Sequence, residues 1–194
     1  MILPCLTTLG PVRSGAMALL LMITAACAGP LTHDEQITVE RYLVCFECPA
    51  PLRAVRLLAE LKPEATVDSL NAALRLGPGA ERAANADSLL RVGYARDSAW
   101  RAANAQPVLP PRDERVSQAY LSYADGYRAR GALGMGWIRT ALALRYLDNA
   151  IASGQLPPSV LKAARFARDS LPQNPLSTPQ GAPRVRARTG ARAP

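Results

Sequence analysis

The sequence predicts an all-α fold, either antiparallel helix pairs arranged as an αα-superhelix or an irregular helical bundle. Apolar residues recur at intervals of three and four, the period of a helix with one buried face. Prolines and glycines separate these stretches, where they end one helix and open the next. With 194 residues, 49% of them hydrophobic, the chain can form one modest domain. We expect an export signal in residues 1–27, a helical domain in 28–172, and a disordered Pro- and Arg-rich tail in 173–194, which has too little apolar surface to bury.

The first predicted helix of the domain begins at Thr32. Its hydroxyl stands three residues before Glu35, the spacing of a capping box. The apolar side of this helix is expected to continue to Cys48, and Pro49 and Pro51 are expected to stop it, because proline has no N–H to donate.

Two short helices are predicted between Leu52 and Pro78, joined at Lys62-Pro63. Each carries one apolar stripe and is too short to be stable alone in water, so the two must be buried against each other and against neighbours. Thr66 offers a capping oxygen near the start of the second helix, and Gly77 stands where a left-handed C-cap residue is expected.

Four further helices are predicted in the second half of the domain. They are expected over 80–106, from Asp113, over 138–153 and over 158–170. In the first of them, Tyr94 and Trp100 are expected to pack into the core rather than form an aromatic edge that faces a partner.

The stretch from Leu52 to Pro78, with its proline turn, a helix of the form xVxxLxxAL and a terminal Gly-Pro, resembles a HEAT or HEAT-like repeat. Ala129 to Ala152 is similar to a second unit, in which the run Gly-Ala-Leu-Gly-Met-Gly is expected to form the turn. The wide separation of the two units predicts a solenoid that is irregular or that has a divergent unit between them. A TPR-like pairing is the alternative. The resemblance implies a scaffold that binds a protein partner on a helical surface, and it carries over no catalytic residue.

The N-terminus has the pattern of an export signal. Arg13 precedes an uncharged run from Ala16 to Ala28 that is too short to span a bilayer comfortably. The stretch Ile23–Cys27 resembles a bacterial lipobox, which implies a lipid anchor on Cys27 and a periplasmic or outer-membrane lipoprotein of the cell envelope. Ordinary cleavage after Ala28 would instead give a secreted protein, and an uncleaved anchor is the third alternative.

Cys45 and Cys48 form a Cys-x-x-Cys pair, the one constellation in the sequence with possible chemistry. Pro49 excludes haem attachment, which needs a histidine at that position. A zinc site would have to recruit His33 and Cys27, so no metal is expected. An oxidising compartment favours a structural disulfide. The alternative is redox activity, which a position at a helix C-terminus would disfavour.

Tyr120, Tyr123 and Tyr127 share one face of a predicted helix, because they are spaced by three and four residues. Such a ladder can line a binding groove for a peptide or a glycan, or it can form the seam that packs on the next helix. The seam is the favoured interpretation. Arg128 and Arg130 are expected on a solvated face.

The composition argues against enzymes and nucleic-acid-binding proteins. The chain has one histidine, no Gly-rich phosphate loop and no Ser-His-Asp set, so neither catalytic residues nor a cofactor are expected. The net charge of +8 arises largely at the ends, and residues 28–172 hold 18 basic and 15 acidic side chains. The sequence therefore predicts a non-catalytic, envelope-associated helical scaffold that binds a protein partner. The alternative is a thiol-disulfide redox protein that uses Cys45 and Cys48.

Overall fold

The computed structural model describes residues 29–45 and 48–171. These residues form seven α-helices and no strand, which confirms the all-α fold. The helices are α1 (His33–Val44), α2 (Pro49–Leu61), α3 (Pro63–Leu76), α4 (Ala80–Ala103), α5 (Arg112–Ile138), α6 (Ala141–Ala152) and α7 (Pro158–Asp169). The predicted export signal with Cys27 and the predicted tail at 173–194 lie outside the described residues.

Helix α1 begins with the predicted capping box. The Thr32 N–H donates to Glu35 Oε2 at 2.7 Å, and the Glu35 N–H donates to Thr32 Oγ1 at 3.4 Å. The helix ends at Val44, so the prediction that it reaches Cys48 was wrong. Pro49 does not stop α1 but opens α2 as its first residue, where proline is tolerated because that N–H has no partner within the helix.

Lys62 alone separates α2 from α3, in agreement with the predicted turn. Thr66 was wrongly predicted as a cap. It is fully buried inside α3, and its hydroxyl donates to the Lys62 carbonyl at 2.8 Å. Gly77 ends the helix with a φ of +75°, the positive range that glycine adopts without strain.

Helix α5 is central, because it packs against each of the other six described helices. In a solenoid each repeat contacts only its neighbours, so the described part of the chain is an irregular helical bundle. Its core consists of apolar side chains from α1, α2, α3, α6, α7 and the second half of α5. The largest of them are Tyr42, Leu43, Leu70, Leu74, Met135 and Leu147.

The glycine run predicted as a turn lies inside α5, so that prediction was wrong. A Cβ on Gly131 would lie 2.7 Å from the Leu70 carbonyl oxygen, and one on Gly136 would lie 3.0 Å from Ala167 Cα. These glycines are needed because α3 and α7 approach the backbone of α5 closely. The turn into α6 comes later, at Arg139, which has a φ of +55°.

Helix α4 packs on α5 and has no buried residue. The two helices run antiparallel, since Arg91 pairs with Asp113 at 3.2 Å and the Tyr94 hydroxyl donates to the Pro110 carbonyl at 2.8 Å. In the part of α5 that faces α4, up to residue 125, only Val116 is buried. We call residues 80–125 the α4–α5 hairpin, and the remaining described residues the core bundle.

Candidate functional site

The three tyrosines of the ladder lie along α5, as predicted, but in different environments. The ring centroids of Tyr120 and Tyr123 are 6.4 Å apart, and those of Tyr123 and Tyr127 are 6.5 Å apart. Tyr127 is buried at the seam with α1, where its hydroxyl donates to Glu40 Oε1 at 2.8 Å. Tyr120 and Tyr123 are half-buried. The ladder therefore includes a packing seam at its C-terminal end, and its other two rings are partly accessible.

Glu40 joins this seam to α4. Its buried Oε2 forms an ion pair with Arg82, 2.9 Å from Nε, but accepts no hydrogen bond from the described residues. Burial, and next the hydrogen bond to Glu40, raise the pKa of Tyr127, and burial also raises the pKa of Tyr123. Both phenols therefore stay protonated at neutral pH, and the Tyr127 hydroxyl acts as a hydrogen-bond donor to Glu40.

Arg128 and Arg130 were wrongly predicted to lie on a solvated face. Both are half-buried and bind backbone carbonyls of the core bundle: Arg128 Nε donates to Leu74 at 2.8 Å, and Arg130 Nε donates to Tyr42 at 2.7 Å. The Arg130 guanidinium also lies 4.4 Å from the centroid of the Tyr42 ring. Their role here is structural.

The structure pairs Cys45 with Cys48 in a disulfide, with the two Cα atoms 5.5 Å apart. The pair bridges two helices, because Cys45 is the C-cap of α1 and Cys48 is the N-cap of α2. The prediction of a single helix C-terminus was therefore wrong for Cys48. A helix N-terminus favours a thiolate, although prolines at positions 49 and 51 remove two of the amide donors that would stabilise it.

One face of α4 is exposed and apolar. Leu89 is 72% exposed, Val92 65% and Trp100 57%, and their spacing places them on the same side of the helix. The prediction that Trp100 packs into the core was wrong, whereas Tyr94 is half-buried against the connection to α5. Sequence reasoning missed this face as a surface because periodicity shows that a face is apolar, but not whether a neighbouring helix covers it.

A second accessible aromatic group lies between α2 and α5. Trp137 lines a cleft of about 270 Å³ together with Val55, Arg56 and Glu60. The Arg56 guanidinium covers the indole at 5.2 Å from the ring centroid, and Tyr42 meets it edge-on at 5.7 Å. The indole is thus already in contact with side chains of this chain.

No family model, curated protein or solved structure matches this chain. The function must therefore be inferred from the described residues themselves.

Within residues 29–45 and 48–171, no group of three or more His, Cys, Asp or Glu side chains is arranged to hold a metal ion. No helix in these residues is both long and apolar enough to cross a membrane. The surface that stands out in the described residues is the apolar face of α4.

Proposed function

We propose that this protein is a non-catalytic helical scaffold that binds a protein partner and is held at the cell envelope by a lipid on Cys27. The observation that carries the proposal is the exposed face of α4, with Leu89, Val92 and Trp100 in solvent and no residue of the helix buried. Large apolar side chains grouped on one exposed face are typical of interaction surfaces.

The energetics of the α4–α5 hairpin support this proposal. An isolated pair of helices buries little surface, and most helical stability in proteins comes from packing on an apolar face. Here α4 packs against α5 and is joined to α1 by the Arg82–Glu40 ion pair, while Leu89, Val92 and Trp100 on its outer face stay exposed. A partner that covers this face would add the missing burial.

Two features of the sequence complete the proposal. The lipobox-like stretch ending at Cys27 supports an envelope anchor, and cleavage after Ala28 with secretion is the alternative. The HEAT-like resemblance is kept for the α2–α3 pair, where two amphipathic helices follow each other with a one-residue connection. Both are inferences from sequence patterns.

Site-specific photocrosslinking of the full chain in the cell that makes it tests partner binding. A benzophenone side chain at Val92 should give a discrete protein adduct, because this position is central on the exposed face of α4. The same probe at Arg53, an exposed position on α2, is the matched control and should give none. Absence of an adduct from every surface helix would overturn the scaffold proposal.

Carbonate extraction of membranes tests the anchor separately. The wild-type chain should stay with the membrane, and a Cys27→Ser variant should be released because it has no acceptor thiol. Release of the wild-type chain would remove the anchor from the proposal and leave partner binding unaffected.

The second candidate function is thiol-disulfide exchange, and the position of Cys48 at the N-cap of α2 favours it. Reduced protein should then show an iodoacetamide reaction at Cys48 that persists below pH 7, because its thiol pKa would be lowered. A reaction that follows the ordinary cysteine pKa of about 8.5 would leave the disulfide with a structural role.

A further inference from the structure

A groove runs along one side of the α4–α5 hairpin, beside the exposed face of α4. It has a volume of about 230 Å³, and apolar side chains from both helices and from their connection line it, including Leu89, Leu109 and Val116. A volume of this size accepts one or two side chains of a partner, not a drug-sized ligand.

Gly93 opens this groove. It lies in the middle of α4, where glycine is about 1 kcal/mol less favourable than alanine. Unlike the buried glycines of α5, it has no packing reason to lack a side chain, since no heavy atom outside its own helical turn lies within 4 Å of the position of a Cβ. The missing side chain therefore leaves space that the fold itself does not fill.

The groove is bordered by cations that have no counterion among the described residues. Arg96 lies between Val92 and Trp100 on the exposed face, and Arg115 lines the groove, and neither forms an ion pair there. The one carboxylate that lines the groove, Asp97, is 3.2 Å from Arg101 Nε and is already paired.

Arg91, which does not line the groove, differs in its charge environment. It is held between Asp87, at 2.7 Å, and Asp113, at 3.2 Å, so its charge is satisfied within the chain. Arg96 and Arg115, beside the groove and the apolar face, therefore carry the positive charge that is available to a partner there.

We infer that the groove at Gly93 receives the apolar side chains of an acidic amphipathic helix from the partner protein, with Arg96 and Arg115 pairing with its carboxylates. The inference rests on the proposed scaffold function and specifies the chemistry of the partner. An apolar stripe on the partner helix fills the groove and covers Leu89 and Trp100, while flanking glutamates or aspartates neutralise the two arginines and fix the register.

The test measures the binding of two synthetic, fluorescently labelled helical peptides to the full chain by fluorescence anisotropy. Both peptides carry leucines at intervals of three and four; glutamates flank the stripe in one and lysines in the other. The acidic peptide should bind at least about tenfold more tightly than the basic one, because the paired charges add to the same apolar contact. Equal binding of the two peptides, or binding of neither, would overturn the inference.

Three variants locate the binding. Gly93→Leu fills the groove, so it should abolish binding of the acidic peptide. Because leucine has a higher helix propensity than glycine, the melting temperature should stay the same or rise. Arg96→Glu with Arg115→Glu should reverse the preference between the peptides. Arg53→Glu, an equal charge change on α2, is the control and should leave both affinities unchanged. Unchanged acidic-peptide binding by Gly93→Leu would contradict the placement in the groove.

A vesicle assay and the crosslinking assay separate the remaining outcomes. Binding of phosphatidylglycerol vesicles that is lost in the Arg96 and Arg115 variant, without binding of the acidic peptide, would assign the surface to a membrane and overturn the inference. A crosslink at Val92 without a preference for the acidic peptide would retain the scaffold and reject the partner chemistry. Loss of crosslinks from every helix would reject the scaffold itself.

Discussion

The core bundle and the α4–α5 hairpin share one helix, α5, and differ in what surrounds it. In the bundle half of α5, Gly131, Ala132, Gly134 and Met135 are buried, because α3, α7 and other helices close around them. In the hairpin half, on which α4 packs, only Val116 is buried and Leu121 is exposed. The same helix thus changes from a close-packed core element to a support for an open surface.

This difference shows that the type of residue does not by itself determine its role here. Leu70 on α3 is fully buried, whereas Leu89 on α4 is mostly in solvent. The number of surrounding helices decides between the two, since burial needs neighbours on more than one side. The hairpin is therefore the region where side chains can be changed for binding without loss of the fold.

The largest expected effect comes from leucines in the two regions. Leu70→Ala should lower the free energy of unfolding by about 3 kcal/mol, because it removes a fully buried side chain and leaves a cavity. Leu89→Ala should change it by less than about 0.5 kcal/mol. Urea unfolding followed by circular dichroism measures both. A large loss at Leu89 would mean that the hairpin is buried in the free protein and would remove the contrast.

Replacing a glycine by alanine should change the free energy of unfolding in opposite directions in the two regions. Gly131→Ala should lower the free energy of unfolding by about 2–3 kcal/mol, because its Cβ would meet backbone atoms of α3, which cannot rotate away. Gly93→Ala should raise it by about 1 kcal/mol, through helix propensity alone. Thermal unfolding of the two variants beside the wild type gives both signs. A destabilising Gly93→Ala would show that this residue is packed in solution.

The sequence predicts those features of the fold that depend on residues close together in the chain. The capping box at Thr32, the one-residue connection at Lys62 and the positive φ at Gly77 were predicted, because each depends on residues within one or two turns. Pro49 was assigned to the end of α1 rather than the start of α2, since proline is compatible with both positions.

Features set by distant contacts were not predictable in this way. The glycines of α5 were taken for a turn, because nothing near them in the sequence indicates that α3 and α7 lie against them. Arg130 was placed in solvent, although Tyr42, distant in sequence, binds it. Trp100 was placed in the core for the same reason. Periodicity shows that a face is apolar, but not whether a neighbour covers it.

Each region has a helix connection that one bond stabilises: a disulfide in the core bundle and a hydrogen bond in the α4–α5 hairpin. Replacing Cys45 and Cys48 by serine should lower the free energy of unfolding by about 2 kcal/mol, the loss expected for a short disulfide loop at the α1–α2 connection. Tyr94→Phe, which removes the one hydrogen bond from Tyr94 to Pro110 in the hairpin, should lose no more than about 1 kcal/mol. Equal losses would mean that the disulfide contributes no more than a surface hydrogen bond.

The smallest expected effect concerns the first turns of α1 and α4 and depends on pH. The hydrogen bond from Lys62 and then that from Thr32 lower the pKa of Glu35, so its carboxylate stabilises the folded chain. Because the folded pKa is lowered, this contribution is fully present above the unfolded glutamate pKa of about 4.3 and is lost as the pH falls through the folded value. Glu35→Gln should therefore cost about 0.5 kcal/mol at pH 7 and nothing in stronger acid.

Glu81, in the first turn of α4, is the matched control, because no side chain in the described residues binds it. Glu81→Gln loses only a weak interaction with the helix dipole, so its effect should be smaller than that of Glu35→Gln at pH 7. Urea unfolding of both variants and the wild type between pH 3 and pH 7 separates the two. A Glu81 effect as large as that of Glu35 would show that the hairpin has a carboxylate contact of its own at this end. In that case the boundary between the two regions would have to move from residue 80 into α4.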